Sequence, residues 1–175
     1  MSATATPSEK HAAPAQESLR VQAEALYAAL AELVRVYQFR DRDRICCHDV
    51  SVTQCYAIEA LLRRGASTLN ELASELYLDK STASRVVATL ERKGYVTRAS
   101  HPEDGRAIVL TVTQSGRKLY DKIRRDLVEE EVQLLSEFEP SVREAAPRLL
   151  LRLARAAEAR SGLQPPSECR RPPTD

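Results

Sequence analysis

Lys80, Ser81, Ser84 and Arg85 fall within six residues, and Arg106 follows an Asp-Gly step further on. Short hydroxyls and long cations near a helix start suit phosphate oxygens, because hydroxyl and free backbone N–H groups donate there. Arg85 is long enough to reach a base edge, and guanine, with two acceptors on one edge, is the usual target of Arg. Arg106 at a hairpin tip could enter a minor groove, where narrow A·T-rich segments attract Arg. Asp104 would be repelled by phosphate, so its expected role is to orient a neighbouring Arg. Thr82 can face either the groove or the core. Thr89 shares the outward face of the same helix. Thr68, which opens the preceding helix, joins the DNA-contacting set, and His101 at the tip could touch phosphate.

Cys46, Cys47, His48 and Cys55 form a second group within ten residues. A thiol just before a helix N-terminus feels positive partial charge, which favours the reactive thiolate. Three thiols and an imidazole could hold a soft metal or metalloid. They could equally act as an oxidation switch: if Cys46 or Cys47 approaches Cys55, a disulfide would strain this junction. The plain alternative is that Cys47 or Cys55 is a small buried hydrophobe. There is no Cys-x-x-Cys pair, so the spacing is not a standard zinc pattern. His48 alone reads as a structural hydrogen-bonding residue. Cys169, in the tail, carries no expected role.

No Ser/His/Asp arrangement, Gly-rich phosphate loop or carboxylate pair stands out, and the chain has only 3 His for acid–base work. The reading is therefore not an enzyme; a thiol peroxidase using Cys47 is the nearest enzymatic alternative. A winged helix that binds only protein is a further one.

These residues need elements to hold them. Thr68 to Thr113 reads as two helices joined by a tight turn, then a two-stranded hairpin, the order of a winged helix-turn-helix. Ser51 with Gln54, and Thr68 with Glu71, read as capping boxes. Asp79 is a good N-cap for a helix from Lys80 to Lys93, and Gly94 its natural stop. Ala83, Val86, Val87 and Leu90 share one face, to pack on Leu72, Ala73 and Leu76, with Leu78 plugging the turn. Tyr95–Ser100 and Ala107–Val112 alternate as strands around His101–Arg106, where Asp-Gly is a hairpin signal.

Longer helices flank this unit. Leu19, Leu26, Leu30, Leu33 and Tyr37 make one apolar stripe, and Leu119, Ile123, Leu127, Leu134 and Phe138 make another. Pro140 stops the second and suits the first turn of a last helix, faced by Val142, Leu149, Leu150, Leu153 and Ala157. A helix of ~25 residues spans about 37 Å, more than a compact winged helix covers. A second copy of the chain is the economical partner. The expected fold is mainly α with a small β-hairpin wing. The winged helix-turn-helix covers about 51–113, with dimerisation helices at about 17–40 and 114–160 inside one domain, 16–160. Residues 1–15 and 161–175 read as disordered tails.

Composition sets the frame. The chain has 175 residues, 43% hydrophobic and 29% charged, with 5% aromatic and no Trp, so Leu, Val and Ala must fill the core. Net charge is +1, and from Arg63 to Arg106 there are eight basic residues against six acidic ones. Bulk charge therefore does not announce nucleic acid; placement of the cations does. No apolar run reaches the ~18 residues that span a bilayer, and the first 15 residues lack the apolar stretch of a secretory signal. The chain reads as cytoplasmic, without a membrane partner, with its thiols reduced by default.

The stretch TLNELASELYLDKSTASRVVATLERKGYVTR, then DGR, then VTQSG opening the long C-terminal helix, resembles the MarR family of bacterial transcription regulators. The resemblance covers roughly Glu17 to Arg160. It implies a homodimer bound to an inverted repeat in double-stranded DNA, usually a repressor, released by a small effector or an oxidant. It matches Asp104 and Arg106 to the family's wing Asp and Arg, and Ser81, Thr82, Ser84 and Arg85 to its recognition-helix positions. Gly105 departs from it, since an Arg is common there. The effector pocket implied by the resemblance falls near the cysteine group, which leaves two sensors open: the thiols themselves, with a thiolate-bound metal or metalloid as one form, or an organic ligand beside structural cysteines.

Overall fold

The computed structural model describes residues 12–100 and 108–161. It divides the chain into two units, one ending at Asp43 and one beginning at Arg44. The first is the bulk of helix α1 (Ala12–Cys46). This helix starts inside the segment expected as a tail and runs past residue 40 to the first cysteine. Leu19, Leu26 and Leu33 of its stripe are exposed, with Val21, Tyr27, Val34, Val36 and Phe39 beside them. Its apolar surface is therefore wider than one stripe. The Arg40 guanidinium lies 4.0 Å over the Tyr37 ring.

The second unit begins where α1 ends. It continues through α2 (Val52–Arg64), β1 (Ser67–Thr68), α3 (Leu69–Glu75), α4 (Lys80–Arg92), β2 (Val96–Ser100), β3 (Ile108–Val112), α5 (Gln114–Ser136) and α6 (Pro140–Ser161). Caps set its boundaries. Gln54 N donates to Ser51 Oγ and Ser51 N donates to Gln54 Oε1, each at 3.2 Å. Thr68 and Glu71 repeat this box on α3, and Asp79 caps α4. Gly65 and Gly94 take φ of 84° and 74°, left-handed values that end α2 and α4 without a Cβ penalty.

Ile45, Ile58, Leu61, Leu72, Val87, Leu90, Val96, Leu110 and Ile123 make the buried core of this unit. Ala83, Val87 and Leu90 turn inward from α4, with Val86 half-buried, as its period requires. The sheet is three-stranded, order β1-β3-β2, where a two-stranded hairpin is expected from the sequence. The extra strand pairs Ser67 with Leu110 and Thr68 with Val109. Two residues carry no alternation, so nothing in their pattern announces a strand.

The α5 stripe divides. Ile123 is buried, and Leu119 and Leu127 pack on the core, but Leu134 and Phe138 are exposed. The helix outruns the core it starts on. On α6, Val142, Leu149, Leu150 and Leu151 are all exposed. Pro147 sits inside α6, where it has no N–H for the Arg143 carbonyl.

Candidate nucleic-acid interface

Asp79 organises the start of α4. Ser81 Oγ donates to its Oδ1 at 2.5 Å, Thr82 N donates to the same oxygen at 2.8 Å, and Thr82 Oγ1 donates to Oδ2 at 2.7 Å. Bonds from the Ser81 hydroxyl, then the Thr82 hydroxyl and N–H, hold the Asp79 carboxyl well below the usual carboxylate range. Arg85 Nη2 donates to Thr82 Oγ1 at 3.0 Å. Thr89 Oγ1 donates back to the Arg85 carbonyl at 3.0 Å.

In this structure the hydroxyl protons of Ser81 and Thr82 are directed to Asp79, and that of Thr89 to the Arg85 carbonyl. Thr82 is half-buried, its hydroxyl joining the cap to Arg85. Thr68 Oγ1 is likewise bonded to Glu71 Oε2, at 2.9 Å. Lys80 and Arg85 are exposed cations on the α4 surface, and Ser84 is half-buried. The turn before α4 is tight: Leu78 N donates to the Ala73 carbonyl at 2.9 Å, and Tyr77 takes φ of 52°.

A groove of 370 Å³ runs between the first turns of α3 and α4 and the sheet, lined by Thr68, Leu69, Asn70, Lys80, Arg98 and Ile108, with Leu110 at its base. Arg98, on β2, shares this lining with Lys80, and its Nε is 3.0 Å from Glu91 Oε2. Sequence spacing does not single out Arg98 or Asn70, because only the packing of β2 and of α3 brings them into one groove with Lys80. The wing tip, with His101, Asp104, Gly105 and Arg106, lies outside the described residues.

The three cysteines of the group sit in different settings. Cys46 closes α1, at the carbonyl end of that helix, and is exposed; it does not sit at the N-terminus of α2. Cys47 is exposed in the turn, while Cys55 is buried in α2. None of the three is in a disulfide. Cys47 and His48 line a cleft of 240 Å³ with Arg44, Asp126 and Glu130. Cys55 lines another of 180 Å³ with Glu59, Tyr120 and Arg124. Burial first, then the Glu59 carboxylate, push the Tyr120 hydroxyl up to about 12. Among the described residues, no group of three or more His, Cys, Asp or Glu side chains is arranged to hold a metal ion. No helix among them is long and apolar enough to cross a membrane.

Comparison with known proteins agrees with this architecture. A model of the MarR family matches residues 48–107. The HTH-type transcriptional regulator ML2140 of Mycobacterium leprae is 34% identical over 129 residues, 71% of this chain and 87% of that protein. The crystal structure of a MarR family transcription regulator superposes with a TM-score of 0.71 at 21% identity, over 83% of this chain and 98% of that one. A mutant of the S. aureus regulator MepR, bound to an oligodeoxyribonucleotide, gives 0.55 at 22% identity, over 74% of this chain and 96% of that one. On the extent of the M. leprae match and the shared winged helix-turn-helix, the chain belongs to the MarR family of DNA-binding transcription regulators.

Proposed function

We propose that this protein is a homodimeric repressor that reads an inverted repeat in duplex DNA and leaves it when an effector binds. The observation that carries the reading is the α4 surface. The hydroxyls of Ser81 and Thr82 are tied to Asp79 and that of Thr89 to the backbone, while Lys80 and Arg85 stand exposed beside them. Lys80, with Arg98 in the same groove, meets the phosphate backbone and fixes register. Arg85, steadied by Thr82, reads a base edge in the major groove. Thr68 and Ser84 border the contacted strand, and at the wing Arg106 enters the adjacent minor groove while Asp104 orients a neighbouring Arg. The structural likeness to MepR, solved with an oligodeoxyribonucleotide, supports a DNA partner.

Exposed Val132 and Leu134 on α5, with exposed Leu149, Leu150 and Leu151 on α6, support self-association, since large exposed apolar surface marks interaction sites. Twofold symmetry in the protein then calls for twofold symmetry in the operator. A small amphipathic effector fits the cleft beside Cys55 and Tyr120, where apolar walls meet Glu59 and Arg124.

Sedimentation of the protein with a duplex carrying the inverted repeat tests this reading. Two chains per duplex are expected, with much weaker binding to a duplex that keeps one half-site. One chain per duplex, indifferent to the second half-site, would overturn it.

A further inference from the structure

Arg98 stands where the sheet elsewhere places apolar side chains. In the β2–β3 register it lies opposite Leu110, and directly opposed residues of an antiparallel pair share a face. Leu110 is 1% exposed, and Val96, two residues before Arg98, is 2% exposed; both belong to the core. The period of two therefore puts Arg98 on the inner face of β2, which is an edge strand. Its side chain is only 33% exposed.

A charge on that face costs solvation, and one carboxylate offsets it: Arg98 Nε lies 3.0 Å from Glu91 Oε2. Glu91 is itself set against the dipole of its helix. It falls in the last turn of α4, where the free carbonyls favour a cation. Lys93, Gly94 and Tyr95 alone connect α4 to β2. That turn is closed by its own backbone, with Gly94 at φ of 74° and Tyr95 N donating to the Leu90 carbonyl at 2.9 Å. The distinctive effect of the ion pair is therefore on the side chain: it sets where the guanidinium points. A guanidinium carries five N–H donors in a rigid fork, so one carboxylate at Nε does not saturate it. The same side chain lines the 370 Å³ groove with Thr68, Asn70 and Lys80.

We propose that Glu91 is a positioning residue for DNA. It holds Arg98 through Nε, so that the terminal nitrogens of the fork meet a backbone phosphate at the Lys80 groove. The proposal rests on the reading of the α4 surface as the DNA-contacting one, and adds to it a residue of the wrong charge. A carboxylate beside DNA ordinarily weakens binding by repelling phosphate. Glu91 strengthens it, because a guanidinium already ordered loses less rotamer freedom on contact. The pair is partly exposed, so the effect is modest in size. Its sign is what separates positioning from bulk charge.

The test measures affinity for the duplex upstream of the protein's own gene across a salt series. The proteins are the unchanged chain, Glu91→Gln, Arg98→Gln, the double variant and Lys80→Ala, each shown to be folded by urea unfolding. Arg98→Gln keeps the stem on the sheet and removes the charge. It should lower the slope of log affinity against log salt by about 0.9. Glu91→Gln should weaken binding by about threefold to fivefold. In the Arg98→Gln background it should weaken binding no further. Tighter binding on Glu91→Gln in both backgrounds would make Glu91 a plain repulsive charge and overturn the proposal. An equal loss in both backgrounds would also overturn it, because Glu91 would then act without Arg98. If Arg98→Gln self-associates with an unchanged slope while Lys80→Ala still lowers it, Arg98 is a guard of the sheet edge. That outcome sinks the proposal and leaves the DNA reading standing. Unchanged slopes for both Arg98→Gln and Lys80→Ala would remove the DNA reading and the proposal with it.

Discussion

Arg85 Nη2 donates to Thr82 Oγ1 at 3.0 Å, one turn earlier on α4. The same hydroxyl donates to Asp79 Oδ2 at 2.7 Å, so the helix cap and the longest outward cation share one oxygen. Thr82→Val keeps the side-chain shape and removes that oxygen. Operator affinity should fall by about 1 kcal/mol, the worth of one hydrogen bond, with the loss concentrated in discrimination at one base pair. Arg85→Ala should lose about 1–3 kcal/mol at that same base pair. Affinities for a panel of point-substituted operators check both. An equal loss across the panel for Arg85→Ala would contradict base reading by this residue.

Gly116 is required by a close approach. A Cβ built there meets the Tyr95 carbonyl oxygen at 2.2 Å and Val112 Cγ1 at 2.8 Å. The oxygen belongs to a backbone that also accepts from Thr113 N at 3.0 Å, so it cannot yield freely. Gly116→Ala should therefore destabilise the fold by about 1–3 kcal/mol, the usual range for overpacking. Urea unfolding at fixed protein concentration measures it. An unchanged midpoint would mean that the start of α5 moves away from the sheet at little cost.

Asp79 predicts an acid limb to stability. Its carboxyl titrates lower in the folded chain than its ordinary value of 3.8. Near that pH the unfolded chain binds more protons, so stability rises with pH through this group. The contribution is present above about pH 4 and lost as pH falls below it. Asp79→Asn should show a shallower decline below pH 4, followed by helical circular dichroism. An acid limb as steep as that of the unchanged protein would assign the loss to other carboxylates.

Leu149 is 58% exposed on α6, with Leu150 and Leu151 beside it. A charge there should not disturb the core of the second unit, but it should oppose a packed apolar interface. Leu149→Glu is expected to shift the protein toward monomer in sedimentation equilibrium while leaving helix content unchanged. A dimer of undiminished affinity would move the interface off α6.

The helix-turn-helix was legible because local chemistry decides it. Ser51, Thr68 and Asp79 cap helices wherever their partners fall three residues on, and each does so here. The period of Ala83, Val87 and Leu90 fixes the inward face of α4 without knowledge of what it packs on. Other features depend on contacts between distant segments. The β1 strand exists only because β3 passes beside Ser67 and Thr68. Arg98 reaches the Lys80 groove only through the sheet. The direction of the Ser81 hydroxyl turns on a competition between phosphate and Asp79 that spacing alone does not decide. Cys46, Cys47 and Cys55 are close in sequence, yet a helix end and a turn send Cys47 and Cys55 to different clefts.

The central claim is sequence-specific binding to duplex DNA by the α4 surface. The most direct measurement is the affinity of the reduced protein for the DNA upstream of its own gene, against a scrambled duplex of equal length, across a series of salt concentrations. The account predicts preference for the upstream duplex by a factor on the order of 10³ or more. It also predicts that Lys80→Ala lowers the slope of log affinity against log salt by about 0.9. Equal affinity for both duplexes, with a slope that Lys80→Ala leaves unchanged, would contradict it.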